Sequence, residues 1–281
     1  MNEVLHILWE ALLDALIDTA KLLPFLYLSY LLIEFLEHHG SEKAEKWIAG
    51  AGKAGPGIGA LLGLVPQCGF SGAAASLYCA GTISLGTLLA VFLSTSDEML
   101  PLLLSGGAEG LSILKLLGCK CLFAALCGFA IDLLYRRKQS VDHIHELCEK
   151  EHCACEGHSL FLAALIHTVK IAGLILLVSF GLNIVFSYWE IGGIFTGIPV
   201  VGEALAGLLG LIPNCAVSVL LTQLYLTGAI PATVLLSGLF VNAGVGLLVL
   251  LRQNTLKRSL PVVALLYVLG LAGGLLCGLV F

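Results

Sequence analysis

The chain is predicted to be an all-α integral membrane protein made of two inverted repeats, each with three transmembrane helices and one re-entrant helical hairpin. Three observations lead there. Of the 281 residues, 58% are hydrophobic and 12% charged, where an ordinary soluble domain carries roughly 25% charged residues. Mean hydropathy is +1.00, more apolar surface than one soluble core can hide. A segment of the first half also returns in the second: Leu61–Ile83 aligns without gaps on Leu208–Ile230, with 11 of 23 positions identical. Repeats of this kind mark duplicated architectures.

In chain order, six stretches are long and apolar enough to cross a bilayer, which takes about 20 helical residues. They are Leu12–Leu36, Ile83–Leu104, Leu111–Leu134, Leu160–Phe186, Ala229–Leu251 and Leu260–Phe281. The N-terminal stretch Met1–Lys21 carries Glu3, Glu10, Asp14 and Asp18. A signal peptide has a basic start and a small-residue cleavage site, so the first helix is expected to be retained. Two further apolar stretches, Ala54–Ala80 and Pro199–Leu226, are interrupted at Pro66-Gln67-Cys68 and Pro213-Asn214-Cys215. Proline followed by an amide side chain ends a helix in lipid and frees backbone groups that need partners in protein or a wet cavity.

Read as hairpins, these give a first repeat over 1–138 (hairpin 54–81, broken helix 83–105), a cytoplasmic linker over 139–158, and a second repeat over 159–281 (hairpin 199–227, crossing 229–251). Residues 54–65 span about 18 Å of helix, enough to reach the bilayer midplane. Three crossings per half invert one half against the other. The basic residues agree with this count. With both termini outside, Lys43, Lys46 and Lys53, Arg136, Arg137 and Lys138, and Arg252, Lys257 and Arg258 all face inward, while 105–110 and 187–202 hold no Lys or Arg.

Inverted repeats with broken helices at the midplane are the architecture of secondary transporters. The first candidate substrate cluster is therefore Gln67, Cys68 and Ser71 with its twin Asn214, Cys215 and Ser218. The second is Ser94-Thr95-Ser96-Asp97-Glu98, inside a crossing, where carboxylates are costly unless protonated, paired or metal-bound; its twin position holds Asn242 opposite Thr95. Asp18 and His167 occupy matching positions on the first helix of each half and form a secondary candidate pair for metal or protons. The linker offers His143, His145, Cys148, His152, Cys153, Cys155 and His158 as soft and borderline metal ligands. A cytosolic position keeps these thiols reduced.

No basic patch with interleaved aromatics points to nucleic acid, and no GxxxxGK[ST] loop points to ATP drive. The chain is expected to be a transporter and not an enzyme, with proton coupling the default, no fixed cofactor, the lipid bilayer as its partner, and homo-oligomerisation left open.

The repeated Gly-Leu-Val/Ile-Pro-Gln/Asn-Cys string, the Ser-Thr-Ser-Asp-Glu run and the His/Cys-rich central loop together resemble the bacterial ten-transmembrane heavy-metal exporters, a family that includes arsenic efflux proteins and manganese transporters. The resemblance covers essentially the whole chain. It implies efflux of a metal or metalloid across the bacterial plasma (inner) membrane, without choosing the ion. The oxygen ligands Gln67, Asp97, Glu98 and Asn214 suit Mn²⁺ or another divalent cation, and Cys68 and Cys215 suit As(III) or softer ions. The residues favour the divalent cation, because buried acids offset its charge whereas arsenite is neutral. Two alternatives stay open: an arsenite or organoarsenical permease, and a DsbD-like thiol–disulfide electron conductor using Cys68 and Cys215.

Overall fold

The computed structural model describes residues 2–38, 54–65, 69–96, 98–135, 160–188 and 201–281. Among them all regular structure is helical, in twelve helices that fall six to each half. The first half holds α1 (Asn2–His38), α2 (Gly55–Gly63), α3 (Gly69–Cys79), α4 (Leu85–Ser94), α5 (Met99–Ser105) and α6 (Gly110–Leu134). The second repeats the order with α7 (Leu160–Tyr188), α8 (Val201–Gly210), α9 (Ala216–Leu226), α10 (Ala232–Val241), α11 (Val245–Gln253) and α12 (Leu256–Gly278). Five segments of the described residues are long and apolar enough to cross a membrane, counting 85–105 and 232–253 as one each. The remaining expected stretch, Leu12–Leu36, lies within α1.

The helix ends follow from local sequence. Ser84 caps α4, its hydroxyl accepting from the Thr87 N–H at 3.1 Å, the usual work of a serine at an N-cap. Asp132 of α6 reinforces this end, taking the Ser84 hydroxyl at 2.6 Å and the Gly86 N–H at 2.9 Å. At the start of α10 the cap is Pro231, without a side-chain bond. There Thr233 donates to Glu203 of α8 at 2.8 Å. The hairpins close with the same stop in both halves. Gly81 and Gly228 take φ of 78° and 74°. Around them Thr82 N–H reaches back to Leu77 O and Ala229 N–H to Leu224 O, both at 2.9 Å. This is the Schellman ending, which needs a residue with positive φ.

Packing matches when the halves are exchanged. The pairs α2–α4 and α4–α6 recur as α8–α10 and α10–α12, and the cross-half pair α3–α11 recurs as α9–α5. Helices α1 and α7 lie against each other, as do α4 and α10. Close approach depends on small residues, as in membrane helix pairs generally. On α12, a Cβ at Gly270, Gly274 or Gly278 would strike Val241, Ser237 or Thr233 of α10.

These contacts also fix direction. Along α2, Gly55 and Gly59 face Thr87 and Gly63 faces Ser94, so α2 and α4 run side by side in the same sense. Gly207 and Gly210 lie against the end of α10 in the corresponding way.

The interior is largely apolar with polar side chains set into it, and the outside is apolar as well, unlike that of a soluble domain. Residues 86–96 and 234–247 are all buried, so α4 and α10 form the centre. Leu114, Leu122, Leu126 and Leu133 of α6, and Leu260, Val268 and Leu276 of α12, are exposed. Apolar side chains on the outside face lipid in a membrane-spanning chain.

Candidate transport site

Both central helices stop short. Helix α4 ends at Ser94, where Thr95 turns extended with φ −50° and ψ 125°. Helix α10 ends at Val241, with Asn242 at φ −71° and ψ 95°. The second-half segment expected as a plain crossing over 229–251 is thus interrupted at the place that matches the first-half break. The restart differs between the halves. In the second, α11 begins after Gly244 with φ 52°, a conformation L side chains avoid.

In the first half the break is held by hydroxyls. The Ser94 and Thr95 hydroxyls both donate to Val91 O, at 3.1 and 2.7 Å. Ser96 instead reaches across to Leu64 O at the end of α2, at 2.8 Å. The end of α2 and the break that follows α4 therefore sit at one level. Gly63 makes room for this, because a Cβ there would collide with the Ser94 hydroxyl and stand 2.7 Å from Val91 O. Its twin Gly210 is pressed against Gly238 O and the Asn242 N–H in the same manner.

Three of the sequence-predicted residues of the second hairpin tip are buried together. Asn214 accepts from Ala216 N–H at 2.9 Å, and Ser218 donates to Cys215 O at 2.7 Å. Asn242 is 2% exposed and accepts from Gly244 N–H at 3.0 Å, while its Nδ2 has no hydrogen-bond partner among the described residues. A buried donor left unmatched costs roughly 1–3 kcal/mol, so an interior amide in this state invites an acceptor.

The two halves meet here. A Cβ on Gly246, at the start of α11, would lie 2.6 Å from Ser71 O and 2.8 Å from the Phe92 ring. Ser71, in the first turn of α3, thus lies against the first turn of α11, beside the second-half break. Glu98 is half-buried at the start of α5, with no side-chain cap bond. Gln67, Cys68 and Asp97 lie outside the described residues, as do the linker ligands His143, His145, Cys148, His152, Cys153, Cys155 and His158. The backbone positions of Asp18 and His167 fall on the mutually packed α1 and α7, but their side chains are outside the description. Each is followed by a buried threonine that bonds the carbonyl four residues back at 2.7 Å, Thr19 to Ala15 and Thr168 to Ala164.

Three interior ionisable residues escaped the sequence reading. Lys120 of α6 is fully buried and donates to Leu239 O at 2.8 Å. Asp132 and Glu203 are the carboxylates at the starts of α4 and α10. A lysine in the middle of an apolar span, one helical turn and more beyond Lys115, was the available signal for the first. The two carboxylates stand near the ends of apolar stretches, where a membrane boundary explains them equally well.

No curated protein and no solved structure matches the chain. A family model does match, over residues 3–179, and it carries the description "Putative, 10TM heavy-metal exporter". That stretch includes the first hairpin, the whole of the first break and most of the helix that opens the second half, so the chain belongs to this family of ten-transmembrane heavy-metal exporters.

Proposed function

We propose that the protein is a secondary transporter that exports a divalent cation such as Mn²⁺ through a midplane site between two inverted repeats. The observation that carries this reading is the cross-half contact of Ser71 with Gly246, at the level where both central helices break. A polar, buried junction between two broken helices gives an ion both backbone carbonyls and side-chain oxygens in place of its water. The Ser94, Thr95 and Ser96 hydroxyls spend their protons on carbonyls, which leaves oxygen lone pairs to face a cation.

Inversion is supported by the three crossings counted in each half and by the basic residues, which that count gathers on one side. Gly246 lies against Ser71, and Gly72 comes near Val249, so α11 packs on α3 across the two halves. On this reading the termini are outside, the 139–158 linker is cytoplasmic, and Asp97 and Glu98 provide the negative charge that a divalent ion requires. Export is coupled to protons, since no ATP-binding loop is present.

A second reading, efflux of a trivalent arsenical, is favoured by two specific features. Cys215 is buried at the second tip, and the unmatched Asn242 Nδ2 is a donor suited to the oxygen of a neutral hydroxylated species. One experiment separates the two. Cells with and without the protein are challenged with Mn²⁺, Zn²⁺, Cd²⁺ and arsenite, and their metal content is measured by mass spectrometry, with Asp97→Asn alongside wild type. Lower cellular Mn²⁺ that returns in Asp97→Asn supports the first reading. Lower arsenic that is indifferent to Asp97→Asn supports the second. Unchanged levels of every ion defeat both.

A further inference from the structure

Helix α10 stops at Val241, and the Asn242 N–H closes its last turn on Gly238 O at 2.9 Å. The last carbonyls of a helix lie beyond the reach of its own N–H groups. One of them, Leu239 O, takes the Nζ of Lys120 from α6 at 2.8 Å, and the same Nζ stands 5.2 Å from the Phe240 ring centre. Lys120 is fully buried. Its charge is held by the negative end of a helix dipole and by the face of a ring.

The other half does not repeat this bond. The register that pairs Thr95 with Asn242 also pairs Phe92 with Leu239 and Ala90 with Ser237. A Cβ on Gly128 of α6 would strike Ala90, and one on Gly274 of α12 would strike Ser237, so these two glycines correspond. Counting back equally from each brings Lys120 opposite Leu266, which is also fully buried. At the end of α4 the corresponding carbonyl, Phe92 O, meets the Thr95 N–H of its own turn at 3.3 Å. The ammonium at this register therefore serves one central helix end and not its twin.

We infer that Lys120 is a built-in cation, whose ammonium fills a monovalent-cation site at the carbonyl end of α10 that takes Na⁺ or K⁺ once the ammonium is removed. Carbonyl ends of broken helices near the midplane are where transporters hold such ions, and the ammonium presents the same single charge to the same kind of oxygen. A divalent ion does not suit this end. A helix terminus offers only about half a negative charge, and excess charge in a low-dielectric interior is costly. One consequence rests on the transport reading: with this place already filled, the protein draws on no Na⁺ or K⁺ gradient. The site itself does not depend on the cargo.

The test is thermal unfolding of the full chain in detergent at one ionic strength, in NaCl, KCl or choline chloride, choline being too large for the site. Lys120→Met and Lys120→Gln remove the charge, Lys120→Arg keeps it, and Lys115→Met removes an exposed charge from the same helix. In NaCl or KCl both neutral Lys120 variants are expected to melt about 2–4 °C above their choline midpoint, because an ion that binds only the folded chain stabilises it. Wild type, Lys120→Arg and Lys115→Met are expected to melt alike in all three salts. Neutral variants that fold only in NaCl or KCl support the site equally. It is overturned if the neutral variants gain no more than wild type from either salt, if they fold in none of the three, or if wild type itself is stabilised by Na⁺ or K⁺. Lys120 is then a bond that finishes a helix end and nothing more. No metal cargo enters the melt, so a failed export assay leaves the inference standing. Neutral variants blind to Na⁺ and K⁺ sink it alone, even where Mn²⁺ export succeeds.

Discussion

The two central breaks share a backbone plan and differ in chemistry. In each, a buried helix stops where the end of a parallel helix presses on it through a single glycine, Gly63 in the first half and Gly210 in the second. The first break then continues as Thr95-Ser96-Asp97-Glu98, and the second as Asn242-Ala243-Gly244-Val245. In sequence one side carries hydroxyls and acids, the other a single amide and a glycine, Gly244, with positive φ. On the proposed transport reading, the duplicated scaffold sets where a cargo sits, and divergence of four residues sets what charge it meets. A symmetric ion site would need the same ligands twice; the proposed site is built from unequal halves.

The largest effect expected from this inequality is on transport. Asp97→Asn should bring export down to the level of cells lacking the protein, because no acid at the second break can replace it. Gly244→Asp, which puts a carboxylate at the twin position, should not rescue Asp97→Asn. Its backbone has φ 52°, and a buried carboxylate there faces no matched partner. Cellular metal content in the single and double variants checks both, and a rescued double variant would show the two halves to be interchangeable.

Next in size is the shared scaffold. Gly210→Ala places a Cβ 2.5 Å from Gly238 O, and Gly63→Ala places one 2.7 Å from Val91 O. Both obstacles are backbone atoms that cannot rotate aside. Overpacking of this sort costs about 1–3 kcal/mol, and thermal unfolding in detergent should show the two substitutions to be equally harmful. A large difference between them would mean that one half carries the fold and the other is dispensable.

The Asn242 amide gives a smaller and more diagnostic effect. Asn242→Ala removes the bond to Gly244 N–H, a loss of roughly 0.5–1.5 kcal/mol. It also removes a buried donor that has no partner, which offsets part of that loss. Stability should therefore fall by less than in Thr95→Ala, while transport falls by more. If Asn242→Ala leaves transport untouched, the second break is only a hinge.

What the sequence made legible follows from what repeats. Because Pro66 and Pro213 recur in register, the helix–break–helix order of both hairpins was readable, and so was the all-helical membrane class from the apolar stretches. The interruption at Asn242 was less visible. In the run Ala229–Leu251 the one proline, Pro231, stands at the start and there is no charge, so hydropathy alone draws the rest as one helix. Only the burial of an amide beside Gly244 explains the stop. Lys120 was hidden for a different reason. Like the exposed Lys115 on the same helix, a lysine in an apolar span reads as a residue whose stem lies along the helix while its head seeks water, and nothing nearby in sequence names Leu239 O, 119 positions away, as its acceptor. Partners brought together by tertiary packing leave no local trace.

The smallest effects are expected where the central helices begin, and there the halves have solved one problem twice. Helix α4 starts with Ser84 as cap and a carboxylate from a helix later in the chain, Asp132 of α6. Helix α10 starts with Pro231, which has no N–H to leave unmatched, and a carboxylate from a helix that precedes it, Glu203. Ser84→Ala removes the bond to Thr87 N–H and one donor to Asp132, and should cost about 0.5–2 kcal/mol, the range for a lost N-cap. Thr233→Val removes one bond to Glu203 and leaves the proline start intact, so its cost should sit near the lower end of roughly 0.5–1.5 kcal/mol. Denaturant unfolding of both variants in detergent measures the difference. Equal costs would mean that the carboxylates, and not the caps, hold these helix starts in place.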